Sequence, residues 1–97
     1  MKNFNEKCYD VLKRVPKGYV VTYKDIARKL NSRAYRAVGN SMKQNYNKKI
    51  PCHRVINSNG NVGEYNRGKK NKIKLLKKEG VIVINNRVDM KKYRFKF

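Results

Sequence analysis

Residues 22–44 read TYKDIARKLNSRAYRAVGNSMKQ, and their hydrophobic spacing predicts two short helices joined by a turn. Thr22 is followed three residues later by Asp25, which resembles a capping box in which Asp replaces the usual Glu or Gln. This pair predicts that a first helix covers about residues 23–30. Because the second helix is basic, the two together predict a helix-turn-helix unit.

The second helix is predicted over about residues 33–44, with Asn31-Ser32 as the turn and the new N-cap. Its inner apolar stripe is expected to be Ala34, Val38 and Met42. Away from Val38 lie polar and small residues that suit a close approach to a polyanion: Arg33, Arg36, Ala37, Gly39, Asn40 and Lys43.

Another amphipathic helix is predicted before this unit, over about residues 4–15. Asn3 or Asn5 could cap it, and Pro16 ends it. Cys8 falls on its apolar stripe and is interpreted as a small core residue. A short extended piece follows at residues 19–21.

The C-terminal part predicts a helix over residues 69–78, which Gly80 stops. Residues 81–90 predict a small hairpin that turns at Asn85-Asn86. The basic and aromatic end at residues 93–97 could contact nucleic acid or pack back on the body. The predicted fold is mainly α: a compact helix-turn-helix, winged-helix-like bundle with a short extended segment and a small C-terminal β-hairpin.

Composition limits the chain to one small domain over residues 1–97. The 26 lysines and arginines against six acids give a net charge of +20, which favours a polyanionic partner over the alternative of a lysine-rich solvated surface. Two cysteines and one histidine are too few for a disulfide framework or a structural metal site. No signal core or membrane span is present in the sequence, so a reducing cytoplasm is expected.

The only histidine stands beside a cysteine in the segment Ile50-Pro51-Cys52-His53-Arg54-Val55-Ile56. A cysteine attacks carbon as the thiolate, and an imidazole within reach can take its proton. Neighbouring residues point in different directions, so the pair needs a turn or a bridging water. For a bare dipeptide, the alternative is a buried cysteine beside a solvated histidine.

The chain resembles the O6-alkylguanine-DNA alkyltransferases in five ordered elements between about Phe4 and Gly80. These elements are Thr22-Tyr23, Arg36-Ala37-Val38-Gly39, Pro51-Cys52-His53-Arg54-Val55, Val62-Gly63-Glu64-Tyr65 and the run at residues 72–80. The family usually carries another domain in front of this one, and here the chain opens directly on the first helix of the catalytic part.

The resemblance implies that an O6-alkylguanine is rotated out of duplex DNA and passes its alkyl group irreversibly to Cys52. In this scheme His53 is the base, acting through a water, and Glu79 orients the imidazole. Glu79 could otherwise be a plain helix-end acid, although acids are disfavoured at that end of a helix. Asn45 matches an asparagine that braces the site in relatives, in a loop that is one residue shorter here.

Two further residues have implied roles in stabilising the leaving guanine. Tyr23 matches the tyrosine that serves the family as proton donor to the base, to which a role in rotating the phosphate is also ascribed, and Lys72 matches a nearby cation. The alternatives are that Tyr23 covers the helix-turn-helix core and that Lys72 is one lysine among many. The expected substrate-binding residues are Val62, Gly63, Tyr65, Asn66, Arg67 and Lys72.

The family's second helix enters the minor groove, where the arginine matching Arg36 fills the place of the flipped base. The alternative for Arg36 is an ordinary phosphate contact. Arg67 and Asn66 differ from the residues of several relatives and predict a tighter pocket, which favours methyl over benzyl. The expected DNA-binding residues are Tyr23, Arg33, Ala34, Arg36, Ala37, Gly39, Asn40 and Lys43.

These expectations amount to a monomeric, single-turnover methyltransferase of alkylated double-stranded DNA with no cofactor, no metal and no membrane partner. Two rival functions remain open. One is an alkyltransferase-like damage sensor, a class that lacks the cysteine supplied here by Cys52. The other is a small basic DNA- or RNA-binding protein with an incidental Pro-Cys-His sequence.

Overall fold

The computed structural model describes residues 2–97 and confirms the mainly α fold predicted from the sequence. Its longest helix has ten residues, so within the described chain no helix could cross a bilayer, which takes about 20. The helices are α1 (Phe4–Leu12), α2 (Tyr23–Lys29), α3 (Tyr35–Lys43), α4 (Lys69–Lys78) and α5 (Met90–Tyr93). The strands are β1 (Val21–Thr22), β2 (Val55–Ile56), β3 (Val83–Ile84) and β4 (Arg87–Val88), and a 3-10 turn covers Cys52–Arg54.

Helix α1 begins at the predicted cap and ends earlier than predicted. The side chain of Asn3 accepts a hydrogen bond from the backbone of the first turn, and the helix ends at Leu12. The residue directly before a proline avoids the helical conformation, so Val15, which precedes Pro16, is excluded from the helix that was predicted to include it. Val15 is nevertheless buried, and Cys8 lies fully buried in the core as predicted.

Helix α2 has a complete capping box in which Asp serves as well as Glu. The Thr22 hydroxyl accepts from the Asp25 backbone at 3.0 Å, and the Asp25 carboxylate accepts from the Thr22 backbone at 3.0 Å. Both bonds are buried, so the box fixes the direction in which β1 enters the helix.

Helix α3 begins at Tyr35, two residues later than predicted, with Ala34 at the cap position and no side-chain cap. The Ser32 hydroxyl instead accepts from the Ala34 backbone inside the turn, while Asn31 adopts a left-handed φ of 55°. Arg33 and Ala34 therefore precede the helix, and Ala34 is exposed rather than part of the inner stripe. The buried residues of α3 are Val38, Ser41 and Met42.

A short parallel pairing connects the helix-turn-helix to the cysteine segment. Strand β1 pairs with β2 in the register Val21↔Val55 and Thr22↔Ile56. Val21 and Val55 are fully buried in the cluster that packs α1, α2 and α3 together. A second cluster, which includes Val20 and Leu76, packs α4 and the C-terminal elements.

The C-terminal hairpin turns at Asn85-Asn86 as predicted, with φ values of 52° and 63° that suit a type I′ turn. It is shorter than predicted, because Asp89 caps the unpredicted helix α5. The chain end packs back on the body, where the Val20 amide donates to the Tyr93 carbonyl and the Phe95 amide donates to the Val20 carbonyl, both at 2.8 Å.

Candidate active site

The Cys52 side chain is held by a turn that follows Pro51. The 3-10 turn winds directly after this proline, and the Cys52 amide donates to the Ile50 carbonyl at 2.8 Å. The turn leads into β2, which the pairing with β1 anchors in the core. Cys52 is thereby buried, with 6% of its surface exposed, while its side chain still lines a surface cleft.

The Cys52 sulfur accepts a hydrogen bond from Nδ2 of Asn45 at 2.9 Å. Burial raises the pKa of the thiol, and the bond from Asn45 opposes that rise. The nearby positive charges of Lys72 and Arg67 also oppose it, but burial dominates. A thiol with a raised pKa is protonated near neutral pH, so its reaction needs a base.

His53 Nε2 lies 3.0 Å from Oε2 of Glu79, the residue that caps the C-terminus of α4. Burial lowers the pKa of the imidazole, and the Glu79 bond only partly compensates, so the ring is neutral near neutral pH. An ionised carboxylate can only accept, so Nε2 carries the proton and Nδ1 is left as the acceptor. Within residues 2–97 no direct hydrogen bond joins this ring to the Cys52 sulfur.

Arg54 is a member of this site to which the sequence analysis gave no role. Its guanidinium donates two hydrogen bonds to Glu79, from Nε to Oε1 at 3.0 Å and from Nη2 to Oε2 at 2.7 Å. Its Nη1 donates to the Val15 carbonyl at 2.7 Å. Burial acts against the charge of Glu79, but the bonds from Arg54 and His53 outweigh it and lower the pKa of the carboxyl. The sequence signal was an arginine that precedes the apolar pair Val55-Ile56, since an arginine that is buried needs a carboxylate partner.

Lys72 is fully buried, and its Nζ donates to the Glu64 carbonyl at 2.9 Å. Burial lowers the pKa of the amine to about 7, although the neighbouring Cys52 and Glu64 act in the opposite direction. The amine is therefore present in both protonation states near neutral pH. It can serve beside the thiol as a cation or as a proton donor.

A cleft of about 860 Å³ opens above the Cys52 sulfur, between α3 and the loop that precedes α4. Tyr35 and Tyr46 line its rim although the sequence analysis gave them no role, and their side chains are among the exposed aromatics. The cleft brings together many of the predicted residues, namely Tyr23, Arg36, Gly39, Lys43, Cys52, Gly63, Tyr65 and Asn66.

Other predicted residues lie outside the cleft wall. Val62 is fully buried in the second core cluster. Arg33, Ala34 and Asn40 are exposed, and Ala37 is half-buried on α3. Five further predicted residues are also outside the cleft lining: Asn45, His53, Arg67, Lys72 and Glu79.

Sequence comparisons identify relatives of this chain. The profile of the family described as "6-O-methylguanine DNA methyltransferase, DNA binding domain" matches residues 3–81. A bifunctional methyltransferase/endonuclease of Picrophilus torridus is 40% identical over 89 residues, which are 90% of this chain and 30% of that protein. A methylated-DNA–protein-cysteine methyltransferase of Thermococcus sibiricus is 46% identical over 80 residues, which are 80% of this chain and 45% of that protein. The chain thus spans less than half the length of these curated relatives.

Solved structures agree with the sequence comparisons. S. pombe Atl1, in complex with damaged DNA containing O6-carboxymethylguanine, superposes with a TM-score of 0.90 at 30% identity over 100% of both chains. The O6-methylguanine-DNA methyltransferase of Pyrococcus kodakaraensis KOD1 superposes with a TM-score of 0.75 at 44% identity, over 84% of this chain and 48% of that one. Since the profile matches most of the residues, the chain belongs to the 6-O-methylguanine DNA methyltransferase family, through its DNA-binding domain.

Proposed function

We propose that the protein repairs DNA by direct reversal, taking the alkyl group of an O6-alkylguanine irreversibly onto Cys52. The observation that carries the proposal is the buried Cys52 thiol at the foot of the cleft beside a neutral, carboxylate-oriented His53. A base must leave the duplex stack to reach such a sulfur, and the cleft is large enough to receive one. The S. pombe relative, which binds damaged DNA, and the curated methyltransferases support this class of substrate.

In the proposed reaction the thiol proton passes through a water to Nδ1 of His53, while Glu79 stabilises the resulting imidazolium. The sulfur then attacks the alkyl carbon, so that an S–C bond forms as the C–O6 bond breaks. The guanine leaves as an anion and takes a proton from the Tyr23 hydroxyl, with Lys72 supplying positive charge nearby. The thioether formed at Cys52 is not hydrolysed, so each molecule acts once.

DNA binding is assigned to α3 and the cleft rim. Arg36, Gly39 and Lys43 lie on the helix and line the same cleft as Cys52. A glycine here allows a close backbone approach to the minor groove, where degenerate readout suits a protein that repairs any sequence. The Arg36 side chain would fill the space of the extruded base. The net charge of +20 supplies the sequence-independent attraction to phosphates.

We further propose that the protein prefers methyl to bulky adducts and acts as a monomer in a reducing cytoplasm. The Arg67 guanidinium donates to the Tyr46 carbonyl at 2.7 Å and so bridges two loops beside the cleft. Such a bridge limits how far these loops can separate to admit a benzyl group.

A second candidate, recognition of damaged DNA without transfer, is supported by the full-length superposition on Atl1. The presence of Cys52 favours transfer over this candidate, since recognition alone requires no buried nucleophile. Both candidates predict preferential binding of the lesion. Only transfer predicts a covalent change in the protein.

The test is the intact mass of the protein after incubation with a duplex that carries one O6-methylguanine. We expect a gain of one methyl group, mapped to Cys52 and absent from Cys52→Ala. Cys8→Ala is the matched control and should still gain the methyl, because Cys8 is buried on α1 away from the cleft. Selective binding without a mass change would favour damage recognition, and equal binding of undamaged DNA would contradict both candidates.

A further inference from the structure

The segment at residues 43–46, whose Asn45 contacts the Cys52 sulfur, is joined to the loop before α4 by two side chains. Nδ2 of Asn66 donates to the Asn45 carbonyl at 2.5 Å and to the Lys43 carbonyl at 3.3 Å. The guanidinium of Arg67 donates to the Tyr46 carbonyl at 2.7 Å. We call these three bonds the clasp.

The clasp uses the donors that Asn66 would otherwise offer to a substrate. An amide nitrogen has two N–H groups, and here each has a backbone carbonyl partner. Arg67 is likewise turned toward a carbonyl of the neighbouring loop, and its side chain does not line the cleft. These contacts point to a function other than direct binding of the base, although the sequence analysis had expected substrate binding.

The other end of the clasp is the residue that touches the reactive sulfur. Asn45 is held through its backbone and its side chain. Its amide donates to the Met42 carbonyl at 3.2 Å, and its carbonyl accepts from Asn66. Its Oδ1 accepts from the Asn47 amide at 3.0 Å, while its Nδ2 donates to the Cys52 sulfur at 2.9 Å and to the Asn47 carbonyl at 3.3 Å. A side chain fixed in this way keeps its donor aimed at the sulfur, whereas a mobile loop would lose part of that hydrogen bond to water.

We propose that Asn66 and Arg67 are positioning residues, which hold the backbone at residues 43–46 so that the Asn45 amide stays directed at the Cys52 sulfur. Asn66 is the cleaner test of the two because it carries no charge. Arg67 also acts on the thiol through its own charge, so its removal changes two things at once. The consequence for repair rests on the proposed function, but the positioning itself can be measured without DNA.

The experiment follows the rate at which iodoacetamide alkylates Cys52 as a function of pH, read by peptide mapping so that Cys8 does not interfere. A hydrogen bond to the thiolate favours ionisation, so its loss should move the midpoint of the profile to higher pH by about half a unit to one unit. We expect this shift in Asn45→Ala and, through the clasp, in Asn66→Ala. The double variant Asn45→Ala/Asn66→Ala should shift no further than Asn45→Ala alone.

Two more variants complete the design. In Asn59, the side-chain oxygen also accepts a hydrogen bond from a loop backbone, that of Asn61, but Asn59 does not line the cleft. Asn59→Ala should therefore leave the pH profile of Cys52 alkylation unchanged. Arg67→Lys keeps the charge while losing the fork geometry, and its midpoint should shift less than that of Arg67→Ala. Should Asn66→Ala not fold, Asn66→Ser retains a shorter donor and should give a smaller shift in the same direction.

Two results would overturn the inference. One is an Asn66→Ala profile that superimposes on that of the original protein, and the other is a double variant whose shift equals the sum of the single shifts. The proposed function is tested separately by methyl transfer from the duplex. If the pH profiles shift but no methyl group is transferred, the positioning role is supported and the proposed repair function is refuted. If the profiles do not shift but the methyl group is transferred, the repair function is supported and the positioning role is refuted.

Discussion

The buried Lys72 should make the protein more stable as the pH rises above neutral. Burial lowers the pKa of this amine from 10.5 to about 7, so between these values the unfolded chain binds a proton that the folded chain has largely lost. The slope of stability with pH is then positive. Below pH ~7 the amine is charged in both states, so the free-energy cost of burying its charge is fully present. Above pH ~10.5 it is neutral in both states, and that cost is absent. The two pKa values correspond to an increase in the free energy of unfolding of about 2 kcal/mol between pH ~7 and ~9.

Urea unfolding at several pH values measures this gain, with Lys72→Met as the test variant. Methionine fills a similar volume without a charge, and the hydrogen bond to the Glu64 carbonyl is lost at every pH, so its loss does not alter the pH slope. We expect Lys72→Met to be more stable near neutral pH and to lose the gain. Lys74→Met, an exposed position on the same helix, should keep it. A Cys52→Ala background removes the Cys52 thiol from all three proteins, and the buried Cys8, whose pKa is also raised, is common to all three and cancels in the comparison.

The reasoning would be refuted by equal pH slopes in Lys72→Met and the parent. Such a result would mean that the amine is hydrated in the folded state and that its burial carries no electrostatic cost. Equal slopes in the parent and Lys74→Met, with a flat profile for Lys72→Met, would assign the pH dependence to the buried amine alone.

Three further outcomes are expected. Arg94→Ala should lower the free energy of unfolding by about 1–2 kcal/mol, because it leaves the buried Asp25 carboxylate without its cation, whereas Lys96→Ala should change it little. Since Arg94 and Thr22 outweigh burial and lower the pKa of Asp25, the difference should shrink when urea unfolding is repeated below the usual Asp range. The rate of inactivation by free O6-benzylguanine, divided by that by free O6-methylguanine, should be higher in Arg67→Ala than in the original protein, as followed by intact mass, because the loops that Arg67 bridges can then separate for the larger group. Arg36→Ala should weaken duplex binding in fluorescence anisotropy, because no side chain would then fill the space of the extruded base.

The parts of the fold that depend on local sequence were predictable. The capping box of Thr22 and Asp25 and the left-handed turn at Asn85-Asn86 each involve residues a few positions apart. Residue type alone limits what such a short stretch can do. The start of α3 was misplaced because the Ser32 hydroxyl was assigned to a helix cap, whereas it stabilises the preceding turn.

The parts that depend on distant contacts were not predictable from one sequence. The parallel register of Val21 with Val55 joins residues 34 positions apart, and no local pattern encodes it. In the same way, no local pattern in the lysine-rich α4 predicts that Lys72 is fully buried while the other lysines of the helix are exposed, although the family resemblance singles it out. The family motif pointed to Cys52, His53 and Glu79. The two hydrogen bonds that Arg54 donates to Glu79 became visible only in the structure.

Burial drives the three reactive groups of the site toward their neutral forms. It raises the pKa of Cys52 and lowers those of His53 and Lys72, while the ionised pair of Arg54 and Glu79 is satisfied by hydrogen bonds. At neutral pH the site therefore holds a thiol and a neutral base, and no preformed thiolate-imidazolium pair. In the proposed reaction the thiolate would form only as the alkyl carbon arrives and the proton moves to His53. Under the proposed single turnover this arrangement is an advantage, because a permanently ionised Cys52 would be consumed by any electrophile in solution.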